Sequence, residues 1–196
     1  MSNTYKRVSE STRRLVLVSV LGAMVTVLAY FGGFIKIGGL ASISLTLIPV
    51  VLGASLCGPW AGAILGGISG VVFFATADAV FWFGLSIAGT IITVMLKAIL
   101  AGLAAGFVYK LLEKKNRLLA VVTAAVVCPV VNTSVFLLGC SIFFMDTVRA
   151  WALAAGSGVF AYLIVVFVGL NFVFELVANV VFSPAIVKLI DLRNRK

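Results

Sequence analysis

Long apolar runs alternate with short polar breaks along most of the chain. Each run can be compared with the ~20 residues that a helix needs to cross the hydrocarbon core of a bilayer. The break at Gly58-Pro59 separates the second run from the third, and the charged segment Glu113–Arg117 ends the fourth. The pattern predicts helices at approximately residues 15–34, 43–57, 60–75, 88–112, 118–144 and 158–182.

The second of these runs is short and contains Pro49. Apolar stretches of about 10–14 residues are often re-entrant rather than spanning. This segment therefore either crosses the membrane or forms a re-entrant hairpin with the third run. Both arrangements leave an even number of crossings, which places the N-terminus, the Glu113–Arg117 loop and the C-terminal tail on one side of the membrane.

The distribution of basic residues favours that even number. The side with both termini would carry most of the 15 Lys and Arg residues, whereas only Lys36 and Arg149 would lie outside. Since cytoplasmic segments are enriched in Lys and Arg, we expect both termini to be cytoplasmic. The residues on that side are Lys6, Arg7, Arg13, Arg14, Lys110, Lys114, Lys115, Arg117, Lys188, Arg193, Arg195 and Lys196.

Composition excludes a soluble globular fold. Of the 196 residues, 63% are hydrophobic and 11% are charged, whereas soluble domains have about 45–50% apolar and about 25% charged residues. A chain of this size cannot bury so much apolar surface in one core. We expect an all-α integral membrane protein, a six-transmembrane-helix bundle over residues 1–196 that forms a single domain, with no soluble domain.

The sequence also excludes several kinds of chemistry. It contains no histidine, so no Ser-His or Cys-His nucleophile pair and no histidine metal or haem ligand can form. Cys57, Cys128 and Cys140 form no CxxC pair and indicate neither a disulfide framework nor a zinc site. We expect no enzymatic activity, no cofactor, no metal and no nucleic-acid partner.

Polar residues inside the apolar runs are the main candidates for function. A charged residue at the centre of a membrane helix costs about 2.5–3.5 kcal/mol, and such residues are functional candidates by default. Lys97 lies on one helical stripe with Thr93, and Glu175 lies on another with Asn171 and Asn179. Two further polar residues, Asn132 and Thr133, follow Pro129 in the fifth run.

Two interpretations of these polar stripes remain open. Lys97 and Glu175 could form a structural ion pair, with the asparagines as interhelical contacts. Alternatively, the stripes bind a small polar ligand, which accounts better for so many amides and hydroxyls. Trp82, in the segment 76–87 that we expect outside the membrane, either belongs to an interfacial aromatic belt or covers the site. The candidate substrate-binding residues are Lys97, Asn132, Asn171, Glu175, Thr93, Thr133, Asn179 and Trp82.

The first helix has small residues at helix-contact spacing. Ser19 and Ala23 form one such pair, and Gly22 and Thr26 form another. Small residues four apart let helix backbones approach closely. These four residues either pack inside the bundle or offer a docking face to another membrane protein.

The layout resembles the substrate-binding S component of an energy-coupling factor (ECF) vitamin transporter, in the broad group that includes riboflavin and pantothenate S components. The resemblance is carried by Leu47–Gly53 running into Cys57–Ala63, by Pro129–Thr133 and by Asn171–Asn179. It implies capture of a vitamin or vitamin precursor from outside a prokaryotic plasma membrane. It also implies delivery through a transmembrane T component and two ATPase subunits, with docking on the first helix, where Ser19 replaces the first alanine of the family's AxxxA motif.

The chain needs such partners because it contains no GxxxxGK[ST] phosphate loop. Pantothenate is the favoured substrate, since Lys97 suits a carboxylate and the amides suit hydroxyl and amide groups. Riboflavin comes second, because its ring system would need aromatic residues to stack on and few lie on the polar stripes. Niacin and a queuosine precursor are further candidates. The alternative function is a proton-coupled secondary transporter that uses Glu175 and Lys97, although the inverted repeats common in such proteins are not seen.

Overall fold

The computed structural model describes residues 2–32 and 45–194, with side chains from residue 10 onward except those of residues 166–168, 170, 171, 193 and 194. Within these residues the regular structure is helical, with no strand. The predicted segment 33–34 and the start of the predicted helix 43–57 lie outside the described residues. The helices are α1 Ser2–Gly32, α2 Leu47–Cys57, α3 Pro59–Phe73, α4 Ala77–Leu85, α5 Ile87–Leu112, α6 Arg117–Phe143, α7 Met145–Ala154, α8 Val159–Tyr162 and α9 Gly169–Asn194, with a π-helical stretch Leu163–Val168 between the last two.

Four of the described helices are long and apolar enough to cross a membrane. They lie in α1, α5, α6 and α9. Two further spans are possible if each of two bent helix pairs crosses as one unit: α3 with α4, bent by 81°, and α7 with Val159–Val165, bent by 95°. The expected all-α membrane bundle is confirmed, with between four and six candidate spans in the described part of the chain.

The short helix α2 lies at the centre of the bundle. Its 11 residues extend about 16 Å at 1.5 Å per residue, which is shorter than the ~30 Å hydrocarbon core. It packs against α1, α3, α5, α6 and α9, and it buries Val50, Val51 and Ala54. Gly58 ends it with φ +97°, a conformation that favours glycine, and Pro59 then begins α3.

Helices α3 and α5 meet backbone to backbone. A Cβ added to Gly66 of α3 would overlap the carbonyl oxygen of Ala98, and one added to Gly62 would overlap that of Gly102. Small residues thus bring the two helix axes close together, as at other membrane helix contacts. This contact fixes the position of α5 relative to the end of α3.

The last apolar run differs from its predicted course. Instead of one helix over 158–182, the chain forms α8, the π-helical stretch and then α9, which continues past Pro184 to Asn194. Proline inside a helix removes one backbone hydrogen bond. The helix continues because Ile186 and Ile190 are buried in the main core, so tertiary packing compensates for the lost bond.

The two ends of the bundle differ in chemistry. At one end, here called the basic end, α6 and the last turns of α9 are joined by an ion pair between Arg117 and Asp191. Lys110, Lys114 and Lys188 also lie near helix ends there and are exposed. At the opposite end, here called the aromatic end, the last residues of α3 and α6 meet α4 and α7.

Candidate functional site

Lys97 lies inside the bundle near the middle of α5, about 15 Å along the helix axis from its first residue. Its Nζ atom is 4.8 Å from the ring centroid of Phe136 on α6 and 5.8 Å from that of Phe73 on α3. Both distances are within the range of cation–π attraction. Three helices therefore define the surroundings of this ammonium group.

The local sequence explains why these groups converge. The backbone contact of α3 with α5 at Gly66 and Ala98 holds the two helices side by side, so that the Lys97 ammonium reaches toward Phe73, the last residue of α3. On α6, Gly139 fits against the side chain of Thr93, since a Cβ at Gly139 would overlap it. The close approach of α5 and α6 at this point places Phe136, one helical turn before Gly139, next to the ammonium.

No carboxylate lies within salt-bridge distance of Nζ of Lys97 in the described part of the chain. Glu175 on α9 is only 3% exposed, and its charge attracts that of Lys97 at longer range. Helix α6 packs against both α5 and α9. The two charges therefore share one region of the bundle without direct contact.

The α6 residues Asn132 and Thr133 are half-buried. Asn132 lies one turn before Phe136 and therefore on the same face of α6. Sequence reasoning did not select Phe136, although its spacing of four from Asn132 places it on the polar stripe of this helix. It also missed Phe73, for which the sequence offers no signal beyond its place near the end of an apolar run.

Trp82 is buried among other aromatic residues. It is 9% exposed, and its ring meets Phe136 edge to face at 5.5 Å and Phe144 at 5.2 Å. The Thr90 hydroxyl on α5 lies 2.7 Å from the Ser86 carbonyl oxygen and 2.9 Å from that of Trp82, so its single proton is shared between the two and links α5 to α4. Trp82 thus connects to Lys97 through Phe136.

An aromatic cluster surrounds Trp82 at the aromatic end. Phe81 stacks on Trp151 of α7 with ring centroids 5.8 Å apart, and Trp151 also approaches the Trp82 ring at 6.5 Å. The cluster includes Phe144 and the neighbouring Val148. Because α4 bends away from α3 by 81°, it carries Phe81 and Trp82 across the helix ends toward α7.

The remaining predicted site residues are Asn179, Thr93 and Asn171. The Asn179 amide nitrogen donates to the Glu175 carbonyl oxygen at 2.8 Å, while its buried Oδ1 has no hydrogen-bond partner among the described side chains and backbone. Thr93 is buried against α6, and its hydroxyl oxygen likewise has no partner within the residues that the structure describes. The side chain of Asn171 lies outside the described residues.

Three of the four predicted docking residues on α1 are exposed, and the fourth is buried at the edge of their stripe. Ser19, Ala23 and Thr26 are exposed, whereas Gly22 is buried, and a Cβ on it would lie 3.2 Å from Ile68 of α3. The Thr26 hydroxyl donates to the Gly22 carbonyl oxygen at 2.9 Å. Gly22 therefore packs inside the bundle, and the exposed stripe consists of the other three.

Comparison with known proteins identifies a family. A family model described as "ECF transporter, substrate-specific component" matches residues 13–188. That range includes all the helices around Lys97 and the exposed stripe of α1. Searches of the curated proteins and of the solved structures give no match.

Proposed function

Because the chain belongs to the family of ECF transporter substrate-specific components, we propose that it captures one small water-soluble vitamin or vitamin precursor at a prokaryotic plasma membrane. It is a multi-pass membrane protein and a transport component, not an enzyme. In this proposal both termini are cytoplasmic and the ligand enters from outside. A T component and two ATPase subunits then energise its release into the cell.

The observation that carries the proposal is the state of Lys97. Its ammonium is held among aromatic rings in the bundle, with no carboxylate of the described residues at salt-bridge distance. An ionised group at this depth is costly unless it is paired. A ligand carboxylate would supply the missing charge, so we infer an anionic substrate.

Pantothenate fits this environment best. Its carboxylate would meet Lys97, and its hydroxyl and amide groups would meet Asn132, Thr133, Glu175 and Asn171. Asn179, one turn after Glu175, and Thr93, one turn before Lys97, add an amide and a hydroxyl group to the proposed site. Riboflavin is the second candidate, because Phe136 lies next to Lys97, Trp82 packs against Phe136, and these rings could stack on a flat ring system. Its ring system, however, carries no carboxylate for the ammonium.

The first experiment identifies the ligand directly. Mass spectrometry of small molecules released from the purified protein should find the vitamin, and titration calorimetry should show tight binding without nucleotide. A family member that only captures substrate requires no ATP for this step. Binding that depends on an imposed proton gradient would instead support the secondary transporter and contradict the proposal.

We further propose that the exposed stripe of Ser19, Ala23 and Thr26 contacts the T component. Small exposed side chains allow a partner helix to approach the backbone closely. Gly22 borders this stripe on its buried side, where α1 packs against α3.

Enlarging the stripe should separate binding from transport. We expect Ala23→Trp to leave vitamin affinity unchanged and to lower uptake by cells at least about tenfold, because one indole blocks a contact made by small residues. Met24→Trp is the matched control, since Met24 is also exposed but points about 100° away around the helix. Equal uptake by the two variants would exclude docking on this stripe.

A further inference from the structure

A cleft of about 340 Å³ opens at the basic end of the bundle, far from Lys97. The end of α2, the start of α3 and the last turns of α5 form its walls, and α1 contributes Arg14. Its volume lies within the usual range of small-ligand pockets, about 300–1,000 Å³. Its lining includes Arg14, Ser55, Trp60, Tyr109, Lys110 and Glu113.

The three charged residues of the cleft have no ion-pair partner among the described residues. Arg14 and Lys110 bring two positive charges, and Glu113 brings one negative charge. Elsewhere at this end Arg117 is paired with Asp191. Arg14, Lys110 and Glu113 make no such contact with one another or with other described groups, so their charges remain available to a ligand.

A buried hydroxyl in the wall of the cleft also has no partner among the described residues. Ser55 is 8% exposed, and its Oγ atom makes no hydrogen bond within the described part of the chain. Other helical hydroxyls here, on Thr26, Thr123 and Ser183, donate to the carbonyl oxygen four residues earlier. Ser55 departs from this pattern although the Val51 carbonyl oxygen stands at that position in its helix. It therefore keeps a donor available next to the cleft.

The cleft lies at the depth where lipid-facing surface begins. Leu15, one residue beyond Arg14 on α1, is 68% exposed, and Trp60 in the cleft wall is 75% exposed. Exposed leucine contacts acyl chains in a membrane protein, and tryptophan prefers the headgroup region. Basic pockets between membrane helices are known to bind phospholipid headgroups.

We propose that this cleft binds the headgroup of a phospholipid that carries both a phosphate and an ammonium, the chemistry of phosphatidylethanolamine. Arg14 and Lys110 neutralise the phosphate, with Ser55 as a further donor. Glu113 accepts the ammonium, and Trp60 lies at the level of the ester groups. Two cations and one carboxylate match this headgroup better than phosphatidylglycerol, which has no cation for Glu113.

Native mass spectrometry of the detergent-purified full-length protein tests the proposal. We expect added phosphatidylethanolamine to bind at least about tenfold more weakly to the Arg14→Gln, Lys110→Gln double variant, given the contribution of each cation near a headgroup. The matched control is Lys114→Gln with Lys188→Gln. It removes the same charge from exposed positions at the same end that do not line the cleft. Equal lipid binding by the two double variants would overturn the proposal.

Two further measurements distinguish a lipid headgroup from a soluble phosphate ester as the ligand of the cleft. Glu113→Gln should reduce the preference for phosphatidylethanolamine over phosphatidylglycerol, and an unchanged preference would contradict the assigned role of this carboxylate. Free phosphoethanolamine should compete weakly, because it lacks acyl chains. Competition equal to that of the lipid would show a soluble phosphate ester site instead. If the Arg14→Gln, Lys110→Gln double variant bound lipid normally but failed to assemble with a T component, the cleft would be a protein contact and not a lipid site.

Discussion

Replacing Lys97 with methionine should weaken vitamin binding about 100-fold or more, while the protein still folds. The ammonium is the group that we expect to meet the ligand carboxylate, and losing one partner of a desolvated charge pair costs about 2–5 kcal/mol. Methionine keeps the apolar stem between Phe73 and Phe136. Titration calorimetry with pantothenate measures the affinity, and tryptophan fluorescence during heating measures stability.

The stability of the same variant distinguishes the two interpretations of Lys97. Because no described carboxylate contacts this ammonium, its removal eliminates a charge that is costly at bilayer depth. The unfolding midpoint should stay the same or rise. A large drop in folded yield with unchanged affinity would show that Lys97 and Glu175 are a structural pair. Lys188→Met, an exposed position on α9, should change neither quantity.

Adding a single methyl group at Gly66 should destabilise the protein by about 1–3 kcal/mol, the usual cost of overpacking. A Cβ there would overlap the Ala98 carbonyl oxygen, and neither backbone can yield without separating α3 from α5. Gly66→Ala should therefore lower the unfolding midpoint and the folded yield. Because Phe73 and Lys97 are positioned by the same contact, ligand affinity should also fall.

The neighbouring glycine provides the control for this substitution. A Cβ at Gly67 would lie 3.7 Å from the Ile99 side chain, an ordinary contact. Alanine also suits a helix better than glycine by about 1 kcal/mol, so Gly67→Ala should be neutral or slightly stabilising. Similar midpoints for the two variants would show that the contact of α3 with α5 tolerates expansion.

Hydrophobic periodicity predicts the membrane bundle well, because lipid requires long apolar segments whose backbone hydrogen bonds are made internally. The course of α5 and α6 follows the predicted runs to within one residue at each end. Hydrophobic periodicity predicts the last run less well. The π-helical stretch and the continuation through Pro184 depend on which side chains become buried, and Ile186 and Ile190 are buried only in the folded bundle.

Around Lys97, too, the sequence predicts some residues of the site and misses others. Charge in an apolar run identifies Lys97 and Glu175 without a structure, because such residues are costly in lipid. The aromatic neighbours escape a sequence search. Phe73 reaches Lys97 from another helix, and the bend of 81° after α3 brings Trp82 against Phe136. A glycine in the sequence does not indicate which residues its close helix contact will bring together. Aromatic rings therefore do lie beside the polar residues, which favours riboflavin more than the sequence pattern does.

The backbone contact between α3 and α5 has an entropic consequence. Glycine and alanine have no side-chain rotamers to lose, so the two helices associate without the ordering cost that larger side chains incur. Their attraction comes from many short-range dispersion contacts, each of which requires close approach. Such a seam tolerates little sliding, and we expect α3 and α5 to move as one rigid unit whenever the rest of the bundle rearranges.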